Sequence, residues 1–127
     1  LLDNLSRGRY KQIMRPLFHP APSEITVEGI LYALSDPVRV RIYAEIASAE
    51  CPQICAVFRK IDNRAIPKST LSFHFRILRE AGLIRSERKG VELHNTTRCA
   101  ELNERFGELV NTILEAYGVQ DEGESSE

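Results

Sequence analysis

Three observations predict a mainly α-helical chain with one small β-hairpin. Apolar residues recur at spacings of three and four over most of the 127 residues, helix-start signals stand at Thr26, Asp36-Pro37, Pro52 and Pro67, and one pair of short β-compatible runs flanks Arg88-Lys89-Gly90. An apolar content of 43% in a chain of this length is enough for one core.

Residues 1–23 hold Arg7, Arg9, Lys11 and Arg15, end in Pro16, Pro20 and Pro22, show only a weak helical pattern, and are read as a basic arm or a short helix. Met14, the single methionine, is a candidate start of the natural gene product, which would make the residues before it an upstream extension. From Thr26 to Leu34, the spacing of Val27, Ile30, Leu31 and Leu34 predicts a first helix with Thr26 as its cap. Asp36 then caps a second helix whose first residue is Pro37, where the missing N–H costs nothing; Val38, Ile42 and Ile46 form its buried face to about Ala49. A third, short helix is expected from Pro52 to Lys60, with Ile54, Val57, Phe58 and Ile61 inward and Asp62-Asn63-Arg64-Ala65 as the following turn.

Pro67 opens a fourth helix from Lys68 to Ala81, with Leu71, Phe75 and Leu78 toward the core and Gly82 as its left-handed cap. Leu83–Glu87 and Val91–Asn95 form a hairpin with a basic tip at Arg88-Lys89-Gly90. A long last helix is expected from Arg98 to Tyr117. Its stripe of Leu102, Phe106, Leu109, Val110, Ile113, Leu114 and Tyr117 is broader than one small domain covers, which predicts a dimer seam. From Gly118 the acidic tail has little to bury and is expected to be disordered. The expected organisation is an arm (1–23), one domain (24–117) and a tail (118–127), with elements in the order α-α-α-α-β-β-α.

The net charge of -1 hides an uneven distribution. Between Arg59 and Arg98 the ten cations Arg59, Lys60, Arg64, Lys68, Arg76, Arg79, Arg85, Arg88, Lys89 and Arg98 outnumber Asp62, Glu80, Glu87 and Glu92 by six, while the tail carries Asp121, Glu122, Glu124 and Glu127. A locally basic stretch on a near-neutral chain suits phosphate binding with limited non-specific affinity. No run approaches the roughly 20 apolar residues that span a bilayer, and the N-terminus has no signal-peptide pattern, so a cytoplasmic, nucleoid-associated protein is expected. Three cysteines without a framework fit a reducing compartment. There is no Gly-rich phosphate loop, no metal triad and no nucleophile with a base beside it, which argues against an enzyme.

The fourth helix and the hairpin together have the shape of a winged helix-turn-helix. Lys68 and the short hydroxyl side chains of Ser69, Thr70 and Ser72 let the helix start approach a major-groove floor, while its N–H groups and dipole favour phosphate. Arg76, one and two turns beyond Ser72 and Ser69, is placed for a guanine edge or a backbone oxygen. Phe73 falls on the exposed side, to meet a thymine methyl or to pack under the wing, and Arg88 and Lys89 are placed for the DNA backbone. His74 lies nearer the core and reads as a hydrogen-bonded structural histidine. The competing reading has Ser69 and Thr70 as helix caps, Arg76 and Arg79 paired with Glu80 or Glu87, and the module binding another protein.

The run Ala33-Leu34-Ser35-Asp36-Pro37-Val38-Arg39-Val40-Arg41-Ile42, with Lys68-Ser69-Thr70-Leu71-Ser72-Phe73-His74-Phe75 and Leu78-Arg79-Glu80-Ala81-Gly82-Leu83-Ile84 at this separation, resembles the ArsR/SmtB family of bacterial regulators over about residues 24–117. The resemblance implies a homodimeric repressor, joined through its first and last helices, that leaves a two-fold symmetric operator when an inducer such as a metal ion or an oxidant binds. Cys51 and Cys55, four apart, share a helix face if the third helix begins early enough, which permits a soft metal ion or a disulfide, and Cys99 is a third candidate. The family's arsenic sensors carry a Cys-x-Cys pair here, of which Cys55 matches the second and Gln53 stands at the first. The last helix holds none of the histidines of the family's other zinc site. Cys55 reads more simply as a small buried apolar residue, with no cofactor.

Overall fold

The structure, a computed structural model, describes residues 17–48, 53–54, 60–61 and 64–125. Helix α1 (Val27–Ala33) begins where Thr26 Oγ1 accepts the Gly29 N–H at 3.1 Å, and α2 (Pro37–Ser48) where Asp36 Oδ1 accepts the Val38 N–H at 2.7 Å. Both caps satisfy N–H groups that a helix start leaves without partners. Ile30 and Leu34 are buried as expected, but Val27 and Leu31 are exposed, because a helix of two turns turns only one narrow stripe inward.

The two helices are joined by Arg39, whose guanidinium lies in the corner between them. Its Nε donates to the Ala33 carbonyl at 2.7 Å and its Nη2 to the Tyr32 carbonyl at 3.2 Å, so a buried cation satisfies the open C-terminal end of α1.

The expected third helix is corrected at both of its described ends. Gln53–Ile54 is a strand, β1, and Lys60–Ile61, β2, pairs antiparallel with Arg64–Ala65, β3. β1 pairs with a strand far along the chain, Gln53 opposite Asn95, and a local periodicity contains no signal for that partner. Val57 and Phe58 lie outside the described residues.

Helix α3 (Lys68–Glu80) follows Pro67 as anticipated and ends at Gly82, with φ 85°. A side chain at Gly82 would place its Cβ 2.5 Å from Ile25, so this position needs glycine both for its backbone and for space. β4 (Ile84–Lys89) and β5 (Glu92–Thr97) form the hairpin, with Lys89 opposite Glu92, so the turn is Gly90-Val91. Gly90, at φ 66°, provides the left-handed first position that a two-residue hairpin turn requires. The sheet order is β1-β5-β4, which leaves β4 at the edge.

The single last helix is corrected to two, α4 (Cys99–Phe106) and α5 (Leu109–Ser125), broken at Gly107, whose φ of 63° ends α4. α5 also runs on to Ser125, through the stretch expected to be disordered. The core joins Ile30, Ala33 and Leu34 with Ile42, Tyr43 and Ile46, Leu71, Phe75 and Leu78 of α3, Leu83 and Ile84 of the wing, and Leu102 and Val110 of the last two helices. Tyr117 of α5 donates its hydroxyl to the Leu34 carbonyl at 2.9 Å, which anchors α5 beside the α1–α2 corner. No helix among the described residues is long and apolar enough to cross a membrane.

Candidate nucleic-acid interface

α3 has two sharply different sides. Leu71, His74, Phe75, Leu78 and Arg79 are buried, whereas Lys68, Ser69, Thr70, Ser72, Phe73 and Arg76 are exposed. The six residues expected at the reading face therefore share one open surface at the start of the helix. Phe73 has a structural reason for its exposure: the Arg76 guanidinium lies over its ring, 5.5 Å from the centroid. The ring is a platform that orients the cation, an attraction of the cation–π kind.

The wing differs in detail from the expectation. Arg88 and Lys89 are exposed but sit in the last two positions of β4, opposite Leu93 and Glu92, and Gly90-Val91 forms the tip. Successive strand residues point to opposite faces, so these two cations leave the hairpin on different sides.

The inner side of α3 is held by polar contacts as well as by packing. Arg39 Nη1 donates to His74 Nδ1 at 3.3 Å, so this ring nitrogen is unprotonated and accepts, in line with a structural histidine. Burial lowers the His74 pKa, the Arg39 charge adds to that, and Asp36 opposes it. Arg79 Nε donates to Ser86 Oγ at 3.1 Å, and Ser86 Oγ donates to Asn95 Oδ1 at 2.6 Å. These three buried residues join α3 to both wing strands.

This arrangement revises the charge argument. Of the ten cations between Arg59 and Arg98, Arg79 and Arg98 are buried, and Arg85 pairs with Glu101 at 3.3 Å. Arg98 is also bound to Glu101, its Nε donating to Oε2 at 2.6 Å. Among the described side chains the exposed surface is thus less basic than the segment, and on α3 and the wing its positive charge beyond Arg85 lies on Lys68, Arg76, Arg88 and Lys89. The burial of Arg79 has a signal in the sequence, since it follows Leu71 and Phe75 at spacings of eight and four, on the same face of the helix.

Cys51 and Cys55 lie outside the described residues. Cys99 is exposed at the first position of α4, and among the described residues no group of three or more His, Cys, Asp or Glu could hold a metal ion. Within the expected dimer stripe, Leu102 and Val110 are buried in this chain's own core. Phe106, Leu109, Ile113, Leu114 and Tyr117 pack against that core but keep part of their surface open.

A family model described as a helix-turn-helix domain matches residues 34–87, from the end of α1 through α2 and α3 into β4. Among solved structures, an ArsR-like transcriptional regulator from Rhodococcus sp. RHA1 is similar with a TM-score of 0.51 and 23% identity, over 78% of this chain and 85% of that one. No curated protein matches the chain. With α3 as the second helix of the motif and β4–β5 as its wing, the chain contains a helix-turn-helix domain in a winged-helix fold similar to that of this ArsR-like regulator.

Proposed function

We propose that the protein is a sequence-specific double-stranded DNA-binding transcriptional regulator, acting in the cytoplasm as a homodimeric repressor on a two-fold symmetric operator. The observation that carries this reading is the open face of α3, where small hydroxyl residues at the helix start adjoin the Phe73-mounted Arg76 and no acidic side chain interrupts them from Lys68 to Arg79. Ser69, Thr70, Ser72, Phe73 and Arg76 meet base edges in the major groove, and Lys68, Arg88 and Lys89 meet phosphates. The half-open residues Leu109, Ile113, Leu114 and Tyr117 of α5, together with the exposed Val27, Leu31 and Tyr32 of α1, provide the apolar surface for the second subunit. Release by an inducer completes the cycle: a soft metal ion or an oxidant acting on Cys51, Cys55 or Cys99, or a small molecule elsewhere.

Selection of bound duplexes from a random pool, followed by anisotropy titration at two salt concentrations, tests the DNA reading. A two-fold symmetric site and an affinity that falls with salt are expected. Absence of binding at low salt overturns it and leaves the wing and helix as a protein-binding surface. Sedimentation of wild type and Ile113→Glu tests the dimer, which the substitution should dissociate. Cys51→Ser and Cys55→Ser should abolish any metal or peroxide response if the cysteines sense the inducer.

A further inference from the structure

Residues 17–26, ahead of α1, form a strap that runs from the edge of the wing to α4. Its downstream end is fixed twice: Ile25 fills the space that Gly82 leaves open, and Arg105 Nη1 of α4 donates to the Ile25 carbonyl at 2.8 Å and to the Pro22 carbonyl. Glu24 Oε1 closes the intervening turn by accepting the Ala21 N–H at 2.7 Å. The upstream end is fixed at a different kind of place. β4 is the edge strand, so its outward N–H groups have no strand to bond, and the Ser86 N–H is taken by His19 Nε2 at 3.0 Å. Through its hydroxyl, the same Ser86 accepts from Arg79 of α3 and donates to Asn95 of β5. Strap, recognition helix and both wing strands therefore meet at one residue, from which β4 continues directly to Arg88 and Lys89.

We propose that His19 is a positioning residue for DNA binding: its unprotonated imidazole fastens the strap to Ser86 and fixes the wing against α3, and protonation unfastens it. The inference rests on the DNA-binding reading above. An imidazolium has no lone pair at Nε2 and cannot accept the Ser86 N–H. The surroundings also oppose a positive ring. Burial lowers the His19 pKa first, followed by the charges of Arg85 on β4, Arg79 on α3 and Arg98 before α4, while a hydrogen bond with the Leu17 backbone works the other way. Glu101 on α4 is bound to both Arg85 and Arg98. Because the docked value lies below the ordinary 6.5, the docked strap holds fewer protons than a free one. Docking is complete above that ordinary value and is lost as pH falls through the docked value.

The test uses the full chain and the operator found by selection, titrated from about pH 7.5 to about pH 5.5 at fixed salt, across the ordinary histidine range. His19→Ala should weaken binding about fivefold at neutral pH, the equivalent of one ordinary hydrogen bond. His19→Gln, whose Oε1 stands near the position of Nε2 and does not titrate, should restore neutral affinity and bind better than wild type at the acid end. In the free protein, the Ser86 amide resonance should titrate in wild type and not in His19→Gln. Parallel pH profiles for wild type and His19→Gln, or unchanged affinity in His19→Ala, overturn the positioning role. A Ser86 resonance indifferent to His19 overturns the bond itself. Wild type that binds no duplex at any pH marks instead the failure of the DNA reading, and the positioning role then falls with it.

Discussion

The two sides of α3 put the same residue types to opposite uses. On the inner side, His74 and Arg79 are buried and bonded to Arg39 and Ser86, so their polar groups hold helix to helix and helix to wing. On the outer side, Phe73 and Arg76 are exposed and face each other, so an aromatic ring that would ordinarily be core holds a cation out to solvent. One helix thus carries a buried, bonded arginine and an exposed one three residues apart, distinguishable by face and not by type.

Substitutions can break this contrast, and the largest effect is expected where the inner side is most confined. Gly82→Ala should lower stability by about 3 kcal/mol, since it adds a left-handed backbone penalty to a clash with Ile25, and urea denaturation will measure it. Arg79→Met should cost about 2 kcal/mol by leaving the buried Ser86 hydroxyl without the guanidinium that donates to it. Arg76→Ala should do the reverse, with stability within about 0.5 kcal/mol of wild type and operator affinity lower by about tenfold. If Arg76→Ala destabilises as much as Arg79→Met does, the two-sided description of α3 is wrong. Arg88→Ala and Lys89→Ala should each reduce the slope of log affinity against log salt by about one, with little change in base preference.

The smallest effect is a softening with acid. Because burial holds the folded His74 pKa below 6.5, the unfolded chain takes up its proton first, so this contribution to stability is present above 6.5 and is lost as pH falls through the folded value. The denaturation midpoint should fall on acidification, and His74→Asn, which keeps an acceptor near the Nδ1 position without a titrating ring, should flatten that fall.

Features written in a few consecutive residues were legible in the sequence. Thr26 and Asp36 cap the helices they were expected to cap, Gly82 closes α3, and Gly90 lies in the hairpin turn. The open face of α3 was legible too, because Leu71, Phe75 and Leu78 orient the helix and thereby expose Ser69, Ser72, Phe73 and Arg76. Features that depend on a distant partner were not. β1 exists because Gln53 and Ile54 meet Asn95 and His94, and the Ser86 junction needs a histidine from ahead of the first helix. The break at Gly107 was hidden for another reason: a glycine inside a helix costs only about 1 kcal/mol, too little to outweigh an apolar stripe that continues on both sides of it. Charge in the sequence is not charge at the surface: Arg79 and Arg98 are buried, and Arg85 is paired with Glu101.

Arg39 has a mechanical consequence. One guanidinium bonds the last carbonyls of α1 and the inner face of α3, so neither helix can slide without breaking a buried cation's contacts. The corner that ends α1 and the buried inner side of α3 are therefore joined through one side chain. A displacement of α1 against α2 must therefore strain the contact at His74, one position from the exposed Phe73.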